Sequence, residues 1–165
     1  MTTKRRIALA LIIVLTIALD QGTKVLARQS LKNAFPRHYA CVLTLMYTEN
    51  PGAFLSLGSN LPANVRQLIF DGLVSVGLLV AVIVLFAGKM QPGGDDVAIA
   101  FIIGGGVGNL IDRFRLGGRV TDFLYLAAGP LHTGIFNAAD MAITGGVLWL
   151  ALSWLVLSMR KKPAA

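Results

Sequence analysis

The chain has 165 residues, is 55% apolar and carries a formal net charge of +7, with a mean hydropathy of +0.70. That length suits one domain, and that hydropathy belongs to membrane proteins rather than soluble globules. Nucleic-acid binding is disfavoured because no basic patch is interleaved with aromatics, and the single cysteine, Cys41, excludes an internal disulfide.

A first span runs from Ile7 to Ala27 behind Lys4, Arg5 and Arg6. It begins like a signal peptide, but the apolar run is long, no Ala-x-Ala site closes it, and Asp20-Gln21-Gly22-Thr23-Lys24 follows. It is therefore expected to stay as a helix. Between Gln29 and Val65, the segment His38 to Thr48 is rich in β-branched and aromatic side chains, which predicts one or two strands before the turn Asn50-Pro51-Gly52. Further spans are expected at about 68–86, 97–114 and 138–159, each near the roughly 20 residues needed to cross hydrocarbon. Glycines dilute the third. The connection from Gly88 to Asp96 reads as a Gly/Pro turn, and Gly117-Gly118 and Gly129-Pro130 bracket a strand-like Val120 to Leu126.

Residues 1–165 are thus expected to form a single domain: an all-α membrane protein with four transmembrane helices and a small extracytoplasmic β-rich cradle. Lys4, Arg5 and Arg6 at one end, and Arg160, Lys161 and Lys162 at the other, place both termini in the cytoplasm by the positive-inside rule. The loops argue less clearly, since Arg28, Lys32, Arg37 and Arg66 fall on the expected outer side.

The acids carry the functional signal. Asp20, Asp112 and Asp140 sit inside or at the ends of apolar runs, and Asp122 follows in a short polar stretch. A carboxylate at a helix centre costs roughly 2.5–3.5 kcal/mol, so each is a functional candidate, against the plainer readings of a snorkelling residue or half an ion pair. At 1.5 Å per residue, Asp20 lies about 21 Å from Arg6, Asp112 about 22 Å beyond Val97 and Asp140 about 30 Å before Arg160. All three approach the same outer interface, and Asp122 can meet Asp140 because its loop returns to the fourth span. Two adjacent carboxyls cannot both ionise cheaply, which yields one acid and one base for the same water. No rival catalytic set stands out, and His38 and His132 alone make no metal cluster. Lys24, one turn from Asp20, reads as its ion-pair partner.

Other motifs have plainer readings. Gly104 with Gly108 fits close helix packing better than a nucleotide loop. Asn109 and Asp112 lie three apart, as do Asn137 and Asp140, so each pair shares a helix face; interhelical hydrogen bonding alone remains the alternative role. Asp71 is expected to pair with Arg66 or Lys24, and Cys41 to be an apolar filler.

Taken together, Gly104-Gly105-Gly106-Val107-Gly108-Asn109-Leu110-Ile111-Asp112-Arg113, Val120-Thr121-Asp122-Phe123 and Phe136-Asn137-Ala138-Ala139-Asp140 resemble the signature blocks of lipoprotein signal peptidase (signal peptidase II). Leu19 to Lys24 resembles the first-helix motif of that family, and Asn50-Pro51-Gly52-Ala53-Phe54 its outer loop. The resemblance implies a four-helix aspartic endopeptidase of the bacterial inner membrane that cuts diacylglyceryl-modified prolipoproteins before the lipidated cysteine, as a monomer without cofactor or metal. It implies Asp122 and Asp140 as the catalytic pair, Asn50, Arg113 and Asn137 in the substrate cleft, and Asp20, Lys24, Asn109 and Asp112 in support. The family loop usually reads Asn-x-Gly-Ala-Ala-Phe-Ser, whereas Asn50 to Ser56 has one alanine and an extra leucine, so substrate range is an open question. Two rival functions remain: an ion- or proton-coupled transporter using its acids as a relay, and a non-catalytic relative that binds lipoproteins. Against a relay, no inverted repeat is visible.

Overall fold

The computed structural model describes residues 1–39, 42–52, 58, 60–87 and 94–160. Cys41, the loop from Ala53 to Leu57, the turn around Lys89, and Lys161 and Lys162 lie outside the described residues, so the expectations made for them are not addressed below.

Four helices are long and apolar enough to cross a membrane: α1 (Thr3–Leu31), α2 (Ala63–Phe86), α3 (Gly94–Arg115) and α4 (Ala138–Arg160). Helix α1 opens on Thr2, whose hydroxyl accepts the Arg5 backbone N–H at 3.3 Å, and it continues one turn past the expected end. Arg28, expected in a loop, is therefore helical. Helix α2 starts after Pro62 and widens to π-helical geometry over Gln67–Leu73, a feature that hydropathy does not foretell.

The packing is inverted relative to a soluble bundle. Helices α2 and α4 turn Leu68, Leu79, Leu152 and Trp154 outward, as hydrocarbon allows. Helix α3 is the exception, with 56% of its apolar window buried against 17% for α1 and 6% for α2 and α4, so it is the post around which the others stand. Its glycine run makes that possible. A Cβ on Gly104 would meet Thr16 of α1, one on Gly105 the Ala139 carbonyl of α4, and one on Gly106 Leu78 of α2. Gly108 returns to α1, where a Cβ would lie 2.5 Å from Asp20 Oδ2. The Gly104 and Gly108 pair thus seats against Thr16 and Asp20 at matching four-residue spacing. At the other end of α1, Arg5 grips the buried Asp96 of α3 with Nε at 2.9 Å and Nη2 at 2.6 Å.

One antiparallel sheet joins the helix ends in the order β1 (Arg37–Tyr39), β2 (Leu43–Asn50), β3 (Val120–Ala128) and β4 (Leu131–His132). The β2–β3 register aligns Thr48 with Asp122 and Asn50 with Val120, after an irregularity between Leu45 and Thr48. Alternation then sorts the side chains. Phe123 packs on Ala27 and Leu31 of α1, while Val120 and Asp122 face a cavity between the helices.

Candidate active site

Asp122 comes from β3 and Asp140 from the first turn of α4, and both line one cavity of about 370 Å³. Helix α3 gives the floor with Gly106, Asn109, Leu110 and Arg113, and α2 one side with Phe70 and Val74. Helix α4 gives the other side, from Asp140 down through Ile143 and Val147 to Leu148.

Asn137 joins the two carboxyls. Its side-chain amide donates to Asp122 Oδ1 at 2.7 Å, and its backbone N–H donates to Asp140 Oδ2 at 3.1 Å. In return its Oδ1 accepts the Asp140 backbone N–H at 3.0 Å. This reciprocal pair is a capping box, and it explains why Asn-x-x-Asp opens α4. Asn50 donates to Asp122 Oδ2 at 2.9 Å, while its own Oδ1 accepts the Gly52 N–H at 2.8 Å, closing the turn that the sequence marks with Pro51-Gly52. Asn109 donates to Asp140 Oδ1 at 2.9 Å. Among the described residues, each carboxyl oxygen of the pair therefore accepts a hydrogen bond. Burial pushes the Asp122 carboxyl up to about 7, with the Asp140 charge adding to it and the amides of Asn50 and Asn137 pulling the other way.

The remaining acids do a different job. Asp112 Oδ2 accepts the backbone N–H of Thr121 at 2.8 Å, and Asp20 Oδ1 accepts that of Ala139 at 2.9 Å. Each holds the backbone one residue before a member of the pair. Lys24 lies between them, 2.9 Å from Asp20 Oδ2 and 3.7 Å from Asp112 Oδ2, and donates to Asn109 Oδ1 at 2.8 Å.

Arg113 spreads its fork over two carbonyls, Gly52 at 2.6 Å and Gly118 at 3.1 Å, with Phe70 stacked 4.9 Å from the guanidinium. It thereby ties the turn after β2 to the start of β3. Asp71 is close enough to act on Arg113 electrostatically, and its Oδ1 is buried without a hydrogen bond. The Lys24 partnership weighed for Asp71 in the sequence goes instead to Asp20, Asn109 and Asp112.

Two contributors escaped the sequence reading. Arg28 donates to Thr121 Oγ1 at 3.0 Å and lies 3.6 Å from Asp112 Oδ1. Gln21 bridges Asp20 Oδ2 at 3.1 Å and the Gly108 carbonyl at 3.0 Å. The Asp20-Lys24-Arg28 spacing of four was the available signal for the first, since it puts all three on one helix face. Among the described residues, no group of three or more His, Cys, Asp or Glu side chains could hold a metal ion.

Comparison with known proteins identifies the family. The family described as signal peptidase (SPase) II matches residues 12–156. The lipoprotein signal peptidase of Desulforapulum autotrophicum is 36% identical over 153 residues, covering 90% of this chain and 91% of that protein. The corresponding enzyme of Brevibacillus brevis is 39% identical over 142 residues, covering 83% and 87%. A bacterial membrane enzyme solved by the in meso method at 2.3 Å superposes with a TM-score of 0.80 at 27% identity, covering 96% of this chain and 93% of its own. With four helices able to span a bilayer and relatives matched over nearly its whole length, this multi-pass bacterial membrane protein belongs to the signal peptidase II family.

Proposed function

We propose that the chain is an aspartic endopeptidase that removes signal peptides from lipid-modified prolipoproteins, cutting just before the diacylglyceryl-cysteine. The observation that carries this reading is the meeting of Asp122 and Asp140 in one cavity, joined through Asn137. In such a pair the ionised carboxylate takes a proton from water while the protonated partner donates to the scissile carbonyl, and the roles exchange as the amine leaves. The substrate would be held by Asn50, Asn137 and the wall that Arg113 clamps.

The shape of the cavity supports a lipid-bearing substrate. Its polar end holds Asn50, Asp122 and Asp140, and its walls continue as Val74, Leu110, Ile143, Val147 and Leu148. A peptide bond laid across the carboxyls would leave acyl chains among these apolar side chains, where each buried methylene contributes about 0.8 kcal/mol. The terminal basic clusters support cytoplasmic termini and hence a site near the outer leaflet. The resemblance to the family implies the rest of the reading, a monomer acting without cofactor. A relay transporter is not favoured, because Asp20, Asp112, Asp122 and Asp140 gather around one helix junction instead of being spread across the bilayer.

The test is cleavage of one precursor, with and without prior lipidation, at matched detergent concentration. Wild-type protein should cut only the lipidated form. Asp122→Asn and Asp140→Asn should each lose activity while still inserting into membranes. Equal cleavage of both precursors overturns the substrate class, and turnover by either variant overturns the aspartic mechanism.

A further inference from the structure

The buried ammonium of Lys24 fixes more than the charge of Asp20. An ammonium only donates, so the Asn109 amide atom 2.8 Å away must be oxygen, and the Asn109 NH2 must face Asp140 Oδ1. The Asn137 amide is oriented in the same manner: its oxygen accepts the Asp140 N–H, leaving its NH2 for Asp122 Oδ1 at 2.7 Å and Asn109 Oδ1 at 3.2 Å. The two carboxyls consequently differ. Asp140 accepts from an amide tied to a cation and from a backbone N–H, in the first turn of α4, where the helix dipole favours negative charge. Asp122 stands on a strand and accepts from two side-chain amides.

Building on the aspartic reading above, we propose that Lys24 is the positioning residue of the pair: through Asn109 it holds Asp140 as the ionised member that takes the proton of water, leaving Asp122 as the member that gives its proton to the scissile carbonyl. The charged groups facing Asp140 are Lys24 and Asp20 from α1, Arg113 from α3 and Asp122 from β3, while Asp71 and Arg66 of α2 face Arg113.

The test is kcat/KM against pH on lipidated substrate for wild type, Lys24→Met and Asn109→Leu. The acidic limb reports protonation of the base, and the alkaline limb loss of the proton from the acid. Both variants should move the acidic limb toward neutrality by about one pH unit, a tenfold loss at any pH on that limb. Asn109→Leu should leave the alkaline limb in place, whereas Lys24→Met also removes a charge that lowers the Asp122 carboxyl and should move that limb upward by less. Asn109→Leu leaves the Lys24–Asp20 contact intact, so it carries the test if Lys24→Met fails to fold. A uniform loss at every pH would show a merely structural Lys24 and overturn the proposal, as would movement of the alkaline limb alone. If Asp122→Asn and Asp140→Asn are inactive while both limbs stay fixed, only the role of Lys24 falls. If either aspartate variant is active, the aspartic reading falls with it.

Discussion

Gly105 sits where α3 meets the first turn of α4, and one methyl group there should disable the site from outside the cavity. A Cβ on Gly105 would lie 2.5 Å from the Ala139 carbonyl oxygen and 2.8 Å from Ile143 Cγ1. Carbon–oxygen contacts in packed protein sit at about 3.3 Å or more, so relief requires α3 and α4 to part by about 0.8 Å. Ala139 cannot retreat by itself, because its N–H is held by Asp20 and the next residue is Asp140. Opening the 2.9 Å bond from Asn109 to Asp140 by that amount takes it beyond hydrogen-bond length. The expected cost is about 1–3 kcal/mol of stability from overpacking. A displacement near 1 Å at a reacting group lowers the rate by about a hundredfold. The assay is kcat/KM on lipidated precursor in detergent, with Tm measured on the same preparation. Gly145→Ala is the control, since a Cβ there meets nothing within 4 Å, and it should leave both quantities near wild type. Wild-type kcat/KM for Gly105→Ala would refute the claim that this crossing positions Asp140.

Activity should fall on the alkaline side with a midpoint of about 7, as Asp122 loses its proton. The bond donated by Asn50 favours the ionised form of Asp122, so Asn50→Leu should move that midpoint to higher pH; a midpoint that moves down would contradict the assignment. The same group makes stability depend on pH. Its folded value of about 7 lies above the ordinary 3.8, so its contribution is fully present below 3.8 and is lost as pH rises through 7. Asp122→Asn should flatten that slope in a plot of Tm against pH. Finally, Arg5→Met should lower Tm without changing kcat/KM, because it removes the charge that bridges the start of α1 to Asp96, buried in the first turn of α3 far from the site.

The parts of the fold legible in the sequence are those with a local cause. Apolar runs mark the helices, Pro51-Gly52 and Gly129-Pro130 mark turns, and the acids mark the junction, because each is costly in hydrocarbon and needs a partner. Asn137-Ala138-Ala139-Asp140 could be read as one helix face, though its capping-box geometry emerges only with the backbone. The extent of α1 was harder to see. Arg28 looks like a loop cation in a hydropathy window, yet its helix continues because Asp112 and Thr121 wait beside it. The π-helical stretch of α2 has no sequence signal, since Gln67 to Leu73 reads as an ordinary span until its neighbours are known. Likewise, the glycine run announces close packing without saying that Gly104, Gly105 and Gly106 face three different helices.

The arrangement of the supporting charges follows from what a proton-exchanging pair requires. A carboxyl that must gain and lose a proton cannot be fixed by a strong ion pair of its own, because that would lock it in the charged form. Its position has to be set from elsewhere. Asp112 does this for Asp122 by holding the Thr121 N–H, and Asp20 does it for Asp140 by holding the Ala139 N–H. Their own burial is then offset by Lys24, which touches both, and by Arg28 beside Asp112. Two carboxylates and two cations leave the cluster neutral in sum, the condition under which charges are tolerated at membrane depth. The absence of a side chain at Gly108 belongs to the same logic, because a Cβ there would collide with Asp20 Oδ2 and push the clamp off Ala139. Residues that never touch the scissile bond are thus as constrained as the pair itself, each for a reason visible in a single contact.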